Sequence, residues 1–389
     1  MTSQNNTVVP EKSKKLPSPA VPDASSVVIT IGGANGERVL SPKEIKWRSK
    51  HTIDTHPIVA GGSAVNHSCR LMAVGIPTYP ILPLVKDEVG KVVSATLVEA
   101  ARRGGCTLDV TSIYLNVKNG STPFSTILVQ GPERTIFTEV SATILEAFFK
   151  HYHRRMEIFQ RAFSGKNPRA VMIGHIHADS AAFLSGTMTQ TVIENFSRQE
   201  IPVFTNFGSS QYSMGAVKWD GLLPKLACFQ LDINEIRDFC RPVQRVSLEE
   251  ILDWFRDQCS VVITMERFGA VGRLKGSDDI ILAWPFDLDS KEIVDTTGAG
   301  DAFCAGVVAS AIAVPLKDEK SLKKAMEQGR TWGARACLTS GGAKDCPNLT
   351  ELDSFAKKHT LFSSTQVLSL KEARPLLRIL DRAFPYRSN

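Results

Sequence analysis

The sequence predicts an α/β protein with a doubly wound, mostly parallel β-sheet, helices on both of its faces, and a small β lid. Short apolar runs rich in Val and Ile alternate with helical stretches from Ser26 onward. Because these runs are apolar at successive positions, they are typical of strands buried on both faces of a parallel sheet. Two segments, 38–59 and 122–138, are polar on one face and predict antiparallel β-structure outside that sheet, which we assign to the lid.

The remaining elements are predicted in order along the chain. Residues 1–25 are rich in Pro, Ser and Lys and are expected to form a disordered tail, so the folded domain is predicted to span 26–389. Strands are predicted at 27–31, 78–85, 170–173, 202–205, 227–231 and 260–265. Helices are predicted at 64–73, 89–103, 141–164, 180–198, 247–257 and 304–314.

Composition and charge exclude several classes of protein. The chain has 389 residues, 43% of them hydrophobic, but no stretch reaches the roughly 20 uncharged apolar residues that span a bilayer. The net charge is +6, and seven Lys or Arg residues against two acidic ones lie from Ser354 onward, so no basic groove for nucleic acid is expected. None of the eight cysteines forms a Cys-x-x-Cys pair, which indicates reduced thiols and a cytoplasmic location.

The strongest chemical signal is the string DTTGAGDAF at 295–303, which precedes a run of small apolar residues. Its glycines allow a tight turn, and the free N–H groups and dipole of the following helix would form an anion site there. Asp301 could serve as a helix cap, but capping explains that residue alone and not the whole string. The nucleotide P-loop requires Gly-Lys-Ser/Thr, which the chain lacks, so this site is of another kind.

The string resembles the C-terminal signature of the PfkB, or ribokinase-like, family of carbohydrate and nucleoside kinases. Upstream, GGSAVN at 61–66 is similar to the family's Gly-Gly-x-x-x-Asn element, and GGANGE at 32–37 resembles its Gly-x-x-Asn-x-Asp substrate loop. These motifs occur in the family's order over about residues 26–360. The resemblance implies a ribokinase-like fold and an ATP-dependent transfer of a phosphoryl group to a hydroxyl.

The resemblance also implies roles for individual residues. Asp301 would be the general base, and the backbone N–H groups of 298–300 would stabilise charge on the transferred phosphoryl group. The catalytic set is Asp301, Gly298, Ala299 and Gly300. The residues of the substrate pocket would be Asn35, Glu37, Gly61, Gly62, Asn66 and His175. The residues on the nucleotide side would be Asn206, Glu235, Thr264, Gly269 and Thr297.

Two cations accompany ATP in this interpretation. Asp232 and Glu235 resemble the family's Asn-x-x-Glu element, which helps to position Mg²⁺ and its water shell, a role suited to carboxylate oxygens. Asp295 and the backbone of Thr297 match positions that hold a monovalent cation such as K⁺ in part of the family.

The chain departs from the family pattern at four positions. Glu37 replaces an Asp, Asp232 replaces an Asn, and Val85 replaces a Gly. Glu266 stands where the Thr-x-Gly-x-x-Gly nucleotide loop has its first Gly. This last change matters most, because a carboxylate near the ATP phosphates repels them unless it points away.

The expected substrate is a sugar that offers a primary hydroxyl, CH₂OH, to Asp301. A nucleoside offers the same group and is an alternative, and a non-catalytic relative that binds a ligand through the same fold is another. We expect no nucleic-acid or membrane partner. An open strand edge on the lid predicts pairing of two chains in a homodimer.

Overall fold

The computed structural model describes residues 27–40, 57–130, 133–162, 168–180, 185–359 and 364–386. The predicted tail at 1–25 lies outside these residues, as do 41–56 of the first lid segment and 131–132 of the second. The predicted domain boundaries therefore stay a prediction.

The described part of the chain contains thirteen strands and twelve α-helices. The strands are β1 (Val28–Ile31), β2 (Asn35–Leu40), β3 (Val59–Gly61), β4 (Thr78–Ile81), β5 (Phe124–Gln130), β6 (Glu133–Glu139), β7 (Ala170–Ile173), β8 (Val203–Asn206), β9 (Cys228–Asp232), β10 (Ser260–Thr264), β11 (Ala270–Arg273), β12 (Asp279–Ala283) and β13 (Gln366–Ser369). The helices are α1 (Ser63–Ala73), α2 (Glu88–Arg103), α3 (Ala142–Ala162), α4 (Thr187–Ser197), α5 (Ser209–Tyr212), α6 (Ala216–Trp219), α7 (Ile233–Cys240), α8 (Leu248–Phe255), α9 (Ala299–Ala313), α10 (Glu319–Ala336), α11 (Leu349–Lys358) and α12 (Leu370–Ala383).

The main sheet has nine strands in the order β13-β12-β11-β10-β9-β8-β7-β1-β4. The six strands from β4 to β10 in this order are parallel, and the last three, β11 to β13, are antiparallel. The prediction of a mostly parallel sheet is therefore confirmed. The strand predicted at 78–85 ends at Ile81, shortly before Pro83, which has no N–H to donate to a strand ladder.

Successive residues of a strand point to opposite faces of the sheet, and both apolar faces are covered by helices. One core cluster joins Ile29, Val171 and Phe229 to helices α3, α4, α7, α8 and α12. The other joins their neighbours Val28 and Met172 to α9 and α10. The carboxyl ends of the parallel strands meet at one edge, where ligands bind in open α/β sheets. In the ranges that the structure covers, no helix is both long and apolar enough to span a bilayer.

A second sheet of four strands has the order β3-β2-β5-β6 and contains the described parts of the two segments predicted as a lid, and we call it the lid. Its strand β2 begins at Asn35, directly after the turn that leaves β1, so that two predicted substrate residues, Asn35 and Glu37, lie on this strand. We expected antiparallel pairing throughout, but β2 and β5 are parallel. The reason is that α1, β4 and α2 lie between them in the chain, whereas β5 and β6 are joined by a hairpin.

Strand β6 forms one edge of the lid and pairs with β5 alone among the described strands. Its Ile136 and Phe137 are 52% and 58% exposed. The homodimer that we expect through this edge stays a prediction.

Candidate active site

Asp301 lies in the first turn of α9, whose N-cap is Gly298. The helix predicted from 304 begins at Ala299, because the glycine string itself forms its first turn. Gly298 has a φ of +73°, a backbone conformation that favours glycine. A Cβ at this position would also lie 2.5 Å from the Cα of Gly342, so the start of α9 packs directly against the loop at 340–343.

The start of α9 presents backbone N–H groups to the site. The N–H of Ala299 donates to the carbonyl of Thr296 at 3.2 Å, so this predicted donor is already engaged. The N–H groups of Gly298 and Gly300 donate to no other described residue. Gln230 Nε2 donates to the carbonyl of Gly300 at 3.0 Å and ties this turn to β9. Two free donors at a helix N-terminus form a binding site for an anion.

Three side chains converge on the carboxylate of Asp301. Asn66 Nδ2 donates to Oδ2 at 2.6 Å, Asn206 Nδ2 donates to Oδ1 at 3.3 Å, and His67 Nε2 lies 3.3 Å from Oδ1. The side chain of Asp301 is 17% exposed, so one part of it remains accessible. Burial alone would raise the pKa of Asp301, but His67 and Asn66 outweigh burial and hold its pKa below the usual range. The carboxylate is therefore ionised at neutral pH and able to accept a proton.

Glu37 is the second buried carboxyl group near this site. It lies on β2, and Asn35 Nδ2 donates to its Oε1 at 3.4 Å and to Ser125 Oγ at 2.8 Å. A Cβ at Gly61 on β3 would overlap the carboxyl group of Glu37, so this close approach requires a glycine. Burial, followed by the charges of Asp301 and Asp295, raises the pKa of Glu37 to about 7, although Asn35 and the backbone of Gly62 act against this rise.

A cavity of about 120 Å³ separates the lid from the main domain. It is lined on the lid side by Glu37, Val39, Pro57, Val59 and Ile127, and on the other side by Asp295, Thr297, Ser340 and Gly341. It therefore brings predicted substrate and cation residues to one place. A larger groove of about 440 Å³ is lined by α8, α12 and the residues next to them, and it contains none of the predicted site residues.

Asp295 accepts hydrogen bonds that stabilise the turn before α9. Its Oδ1 accepts the N–H of Thr297 at 2.8 Å, and its Oδ2 accepts the N–H of Gly341 at 2.9 Å. The carbonyl of Cys337 accepts the N–H of Asp295 at 3.2 Å. The carboxylate therefore links the turn before α9 to the loop at 340–343.

Asp232 and Glu235 form a reciprocal cap at the start of α7. Asp232 Oδ1 accepts the N–H groups of Asn234 and Glu235 at 2.7 and 2.9 Å, and Glu235 Oε2 accepts the N–H of Asp232 at 3.1 Å. Burial, followed by the charges of Asp232 and Asp301, raises the pKa of Glu235 to about 8. Such mutual repulsion favours a cation nearby. Among the described residues, no three His, Cys, Asp or Glu side chains are grouped closely enough to hold a metal by themselves.

His175 lies under the turn between β1 and β2. Its carbonyl accepts the N–H of Gly33 at 2.6 Å, its N–H donates to Ser63 Oγ at 2.7 Å, and its ring Nε2 lies 2.8 Å from Ser210 Oγ. The ring is 4.1 Å from that of His177, measured between centroids. Burial, followed by the proximity of His177, holds the pKa of His175 well below its usual range. Both rings are therefore neutral at pH 7.

The nucleotide-side residues follow the carboxyl ends of successive strands. Asn206 ends β8, and the pairing of β9 with β10 brings Thr264 beside Asp232. Thr264 and Gly269 flank the turn between β10 and β11. Within this turn Glu266 has a φ of +46°, in the left-handed region. The turn therefore holds a glutamate in a backbone conformation that favours glycine.

Sequence reasoning missed three residues of the site, His67, Ser125 and Gln230. His67 directly follows Asn66, and its position one residue beyond a motif on a helix could have drawn attention to it. Ser125 and Gln230 lie inside strands β5 and β9, outside any motif, so only the fold identifies them.

Comparison with known sequences gives two matches, each over part of the chain. Residues 221–349 match the sequence model of the pfkB family carbohydrate kinases. A segment of 73 residues is 37% identical to an "uncharacterized sugar kinase" of Dictyostelium discoideum, and this match spans 19% of each chain.

Solved structures extend the likeness to most of the chain. The structure of Arabidopsis thaliana ribokinase complexed with ribose and ATP has a TM-score of 0.62 at 16% identity, and the match covers 86% of this chain and 99% of that one. A Burkholderia thailandensis nucleoside kinase in complex with inosine has a TM-score of 0.62 at 14% identity, and the match covers 93% of this chain and 100% of that one. The protein therefore has the ribokinase-like α/β fold. Its residues 221–349 carry the sequence pattern of the pfkB family carbohydrate kinases, so the predicted resemblance is confirmed.

Proposed function

We propose that this protein transfers the γ-phosphate of ATP to a hydroxyl group, CH₂OH, of a sugar, with Asp301 as the general base. One observation carries the proposal: an ionised, partly exposed carboxylate lies in the same helical turn as two free backbone N–H groups. The pattern of a carbohydrate kinase family over 221–349 supports a sugar as acceptor. The ATP and ribose bound to the related ribokinase support the two substrates.

In this mechanism Asp301 accepts the proton of the substrate hydroxyl as the hydroxyl oxygen attacks the γ-phosphorus. The bond from that phosphorus to the leaving oxygen of ADP breaks in the same step, and the proton remains on Asp301. The free N–H groups of Gly298 and Gly300 stabilise the charge that develops on the transferred group. Ala299 forms part of the turn but offers no free donor, because its N–H already donates to the carbonyl of Thr296.

The acceptor would bind between the lid and α1. A Glu37 with a pKa of about 7 is present near neutral pH as both carboxylic acid and carboxylate, so it can donate to or accept from a sugar hydroxyl. The amide of Asn35 is held beside it by Ser125. The remaining residues proposed for this pocket are Gly61, Gly62, Asn66 and His175.

The nucleotide would bind across the carboxyl ends of β8 to β10, near Asn206, Thr264 and Gly269. The repulsion between Asp232, Glu235 and Asp301 fits a role of the first two in holding the water shell of Mg²⁺. When bound, this ion neutralises charge on the phosphates. Asp295 and the backbone of Thr297 would hold a monovalent cation such as K⁺ beside the anion site.

A nucleoside is the second candidate acceptor. The related nucleoside kinase matches this fold with the same TM-score as the ribokinase, and its structure contains inosine. A thermal-shift screen of sugars and nucleosides separates the two classes. A ligand at 100 times its dissociation constant should stabilise the fold by about 2.7 kcal/mol.

The test of the mechanism is Asp301→Asn, assayed with the best acceptor from the screen. We expect turnover to fall by about 10²- to 10⁴-fold, because the amide cannot take the proton. Affinity for ATP and acceptor, measured by calorimetry, should persist, since removal of a negative charge beside the phosphates favours ATP. Asp220→Asn, which changes an exposed aspartate outside the site, should leave turnover unchanged.

Two results would contradict the proposal. Near-wild-type turnover in Asp301→Asn would remove Asp301 as the base. Clear ligand binding by the wild type without any phosphoryl transfer would favour a non-catalytic relative of these kinases.

A further inference from the structure

We propose that His67 is a positioning residue that fixes the orientation of the Asp301 carboxylate through its Nε2. This inference rests on the proposed function, in which Asp301 is the base. His67 is completely buried on α1, and its Nε2 lies 3.3 Å from Asp301 Oδ1.

The two ring nitrogens of His67 have no other use in the described structure. Neither nitrogen meets the geometry of a hydrogen bond with any described residue, and Nε2 lies within ion-pair distance, 3.3 Å, of Asp301 Oδ1. An ionised carboxylate only accepts hydrogen bonds, and this assigns the proton to Nε2. A buried polar group without a partner is costly, so an imidazole at this position is explained by Asp301 and not by packing.

Packing alone would be satisfied by an apolar ring. A Cβ at Gly174, at the end of β7, would approach His67 Cε1 at 3.3 Å, so the ring fills a closely bounded space. An aromatic residue without nitrogens would fill much of this space. It would lose the contact with Asp301, and this difference makes the role of the nitrogens testable.

Consecutive residues of α1 hold the two carboxylate oxygens separately. Asn66 donates to Oδ2, while His67 contacts Oδ1 together with Asn206. Rotation of the carboxylate about its Cβ–Cγ bond would break contacts on both sides. A general base misplaced by about 1 Å can lose on the order of 10²-fold in rate.

Several charged groups also face Asp301 from the surrounding elements. Arg70 on α1 is 2% exposed and its charge favours the ionised carboxylate, whereas Glu37 on β2 and Glu235 on α7 repel it. Cys304 on α9 is a neutral neighbour because burial raises the pKa of its thiol. Of the groups around Asp301, His67 contributes most to lowering its pKa and so to favouring its ionised form. Its loss should therefore move the titration of Asp301 to higher pH.

The experiment compares His67→Phe, which keeps a ring without nitrogens, with His67→Gln, which restores an N–H donor. We expect His67→Phe to lower kcat by about 10- to 100-fold and to change the KM values by less than about twofold. The acidic limb of its pH–rate profile should move to higher pH. His67→Gln should recover most of both effects, which a purely structural role would not predict.

His151→Phe provides a matched control, because it removes a half-buried imidazole of α3 whose Nε2 also has no partner in the described part of the chain. We expect wild-type kcat and an unchanged pH profile. A wild-type kcat and pH profile in His67→Phe would overturn the inference.

A second measurement does not depend on turnover. In protein labelled with ¹³C at the aspartate carboxyl groups, the signal of Asp301 is identified by its loss in Asp301→Asn. Its titration midpoint should be higher in His67→Phe than in the wild type or in His151→Phe, and an equal midpoint would overturn the inference. This readout remains available if no acceptor is phosphorylated, so a failure of the proposed function is distinguished from a failure of this one.

If His67→Phe does not fold, the wild type supplies the decisive spectrum. Long-range ¹⁵N correlation of the eight histidines should give the Nε2–H tautomer for His67, with an Nε2 shift that changes in Asp301→Asn. An Nδ1–H tautomer would overturn the inference.

Discussion

Asp301 at the start of α9 and Glu37 beneath the lid are two carboxyl groups of one site, but their surroundings shift their pKa values in opposite directions. Asp301 accepts hydrogen bonds from two amides and lies 3.3 Å from an imidazole, and its pKa is lowered despite burial. Glu37 receives hydrogen bonds from Asn35 and Gly62, and burial raises its pKa to about 7. Two carboxyl groups whose pKa values are pushed apart take different chemical roles.

This difference indicates a separate chemical role for each side of the site. The start of α9 keeps a charged carboxylate ready to take a proton. The lid side tolerates a carboxyl group that changes its protonation near neutral pH, which suits binding of hydroxyl groups. Substitutions at the start of α9 and beneath the lid test these two roles separately.

The largest effect is expected at the start of α9, for Gly298→Ala. An alanine must adopt a φ of +73° and its Cβ would lie 2.5 Å from the Cα of Gly342. Strain and overlap together should lower the free energy of unfolding by about 2–5 kcal/mol, measured by urea denaturation. Gly300→Ala is the matched control, because a Cβ there meets nothing within 4 Å and alanine is the better helix former. Equal destabilisation by both substitutions would contradict the packing argument.

The next effect is expected beneath the lid, for Glu37→Gln. This variant should change the pH dependence of the free energy of unfolding by about 3 kcal/mol. The pKa of Glu37 is raised in the folded state, so the native protein binds more protons than the unfolded chain between about pH 4.5 and 7. The contribution of Glu37 to the free energy of unfolding of the wild type should therefore fall as the pH rises through this window and change no further above it.

Glu37→Gln should remove this contribution, as measured by denaturation at several pH values. Glu99→Gln, which changes a fully exposed glutamate whose pKa is lowered by Arg102, should leave the fall in place. If Glu37→Gln kept the wild-type pH dependence, this result would show that the pKa of Glu37 is not raised in the folded protein.

The same two regions explain how much of the molecule the sequence could predict. The strand at 170–173 was predicted with its observed bounds, because a buried strand leaves a continuous apolar run. At α9 the proposed base, the glycine turn and Asp295 lie within one string, so their proximity could be predicted from it. The start of the helix was placed too late, since glycines usually indicate a loop.

The lid side was harder to predict. Its pairs, such as Asn35 with Ser125, join strands that are distant in the chain, and the parallel pairing of β2 with β5 leaves no local pattern. The contact of His67 with Asp301 is of the same kind, because it joins two helices across the site. Such contacts depend on the whole fold.

Glu266 extends the comparison to an exposed carboxylate, and the smallest effect is expected there, for Glu266→Gly. Its φ of +46° costs an L-residue about 1–2 kcal/mol, of which the greater freedom of glycine in the unfolded chain offsets about half. The variant should therefore be more stable by about 0.5–1 kcal/mol. Gln244→Gly is the matched control, because this exposed residue has a φ of +56° and lies outside the site.

Only Glu266→Gly should also bind ATP more tightly. Loss of one solvent-screened charge near the phosphates should lower the dissociation constant for ATP by about twofold to fivefold, and by less at high salt. Calorimetry with ATP and Mg²⁺ on the wild type and both variants measures this change. Equal affinity in all three proteins would mean that the Glu266 carboxylate points away from the phosphates. Its replacement of the family's glycine would then affect only the backbone of the turn.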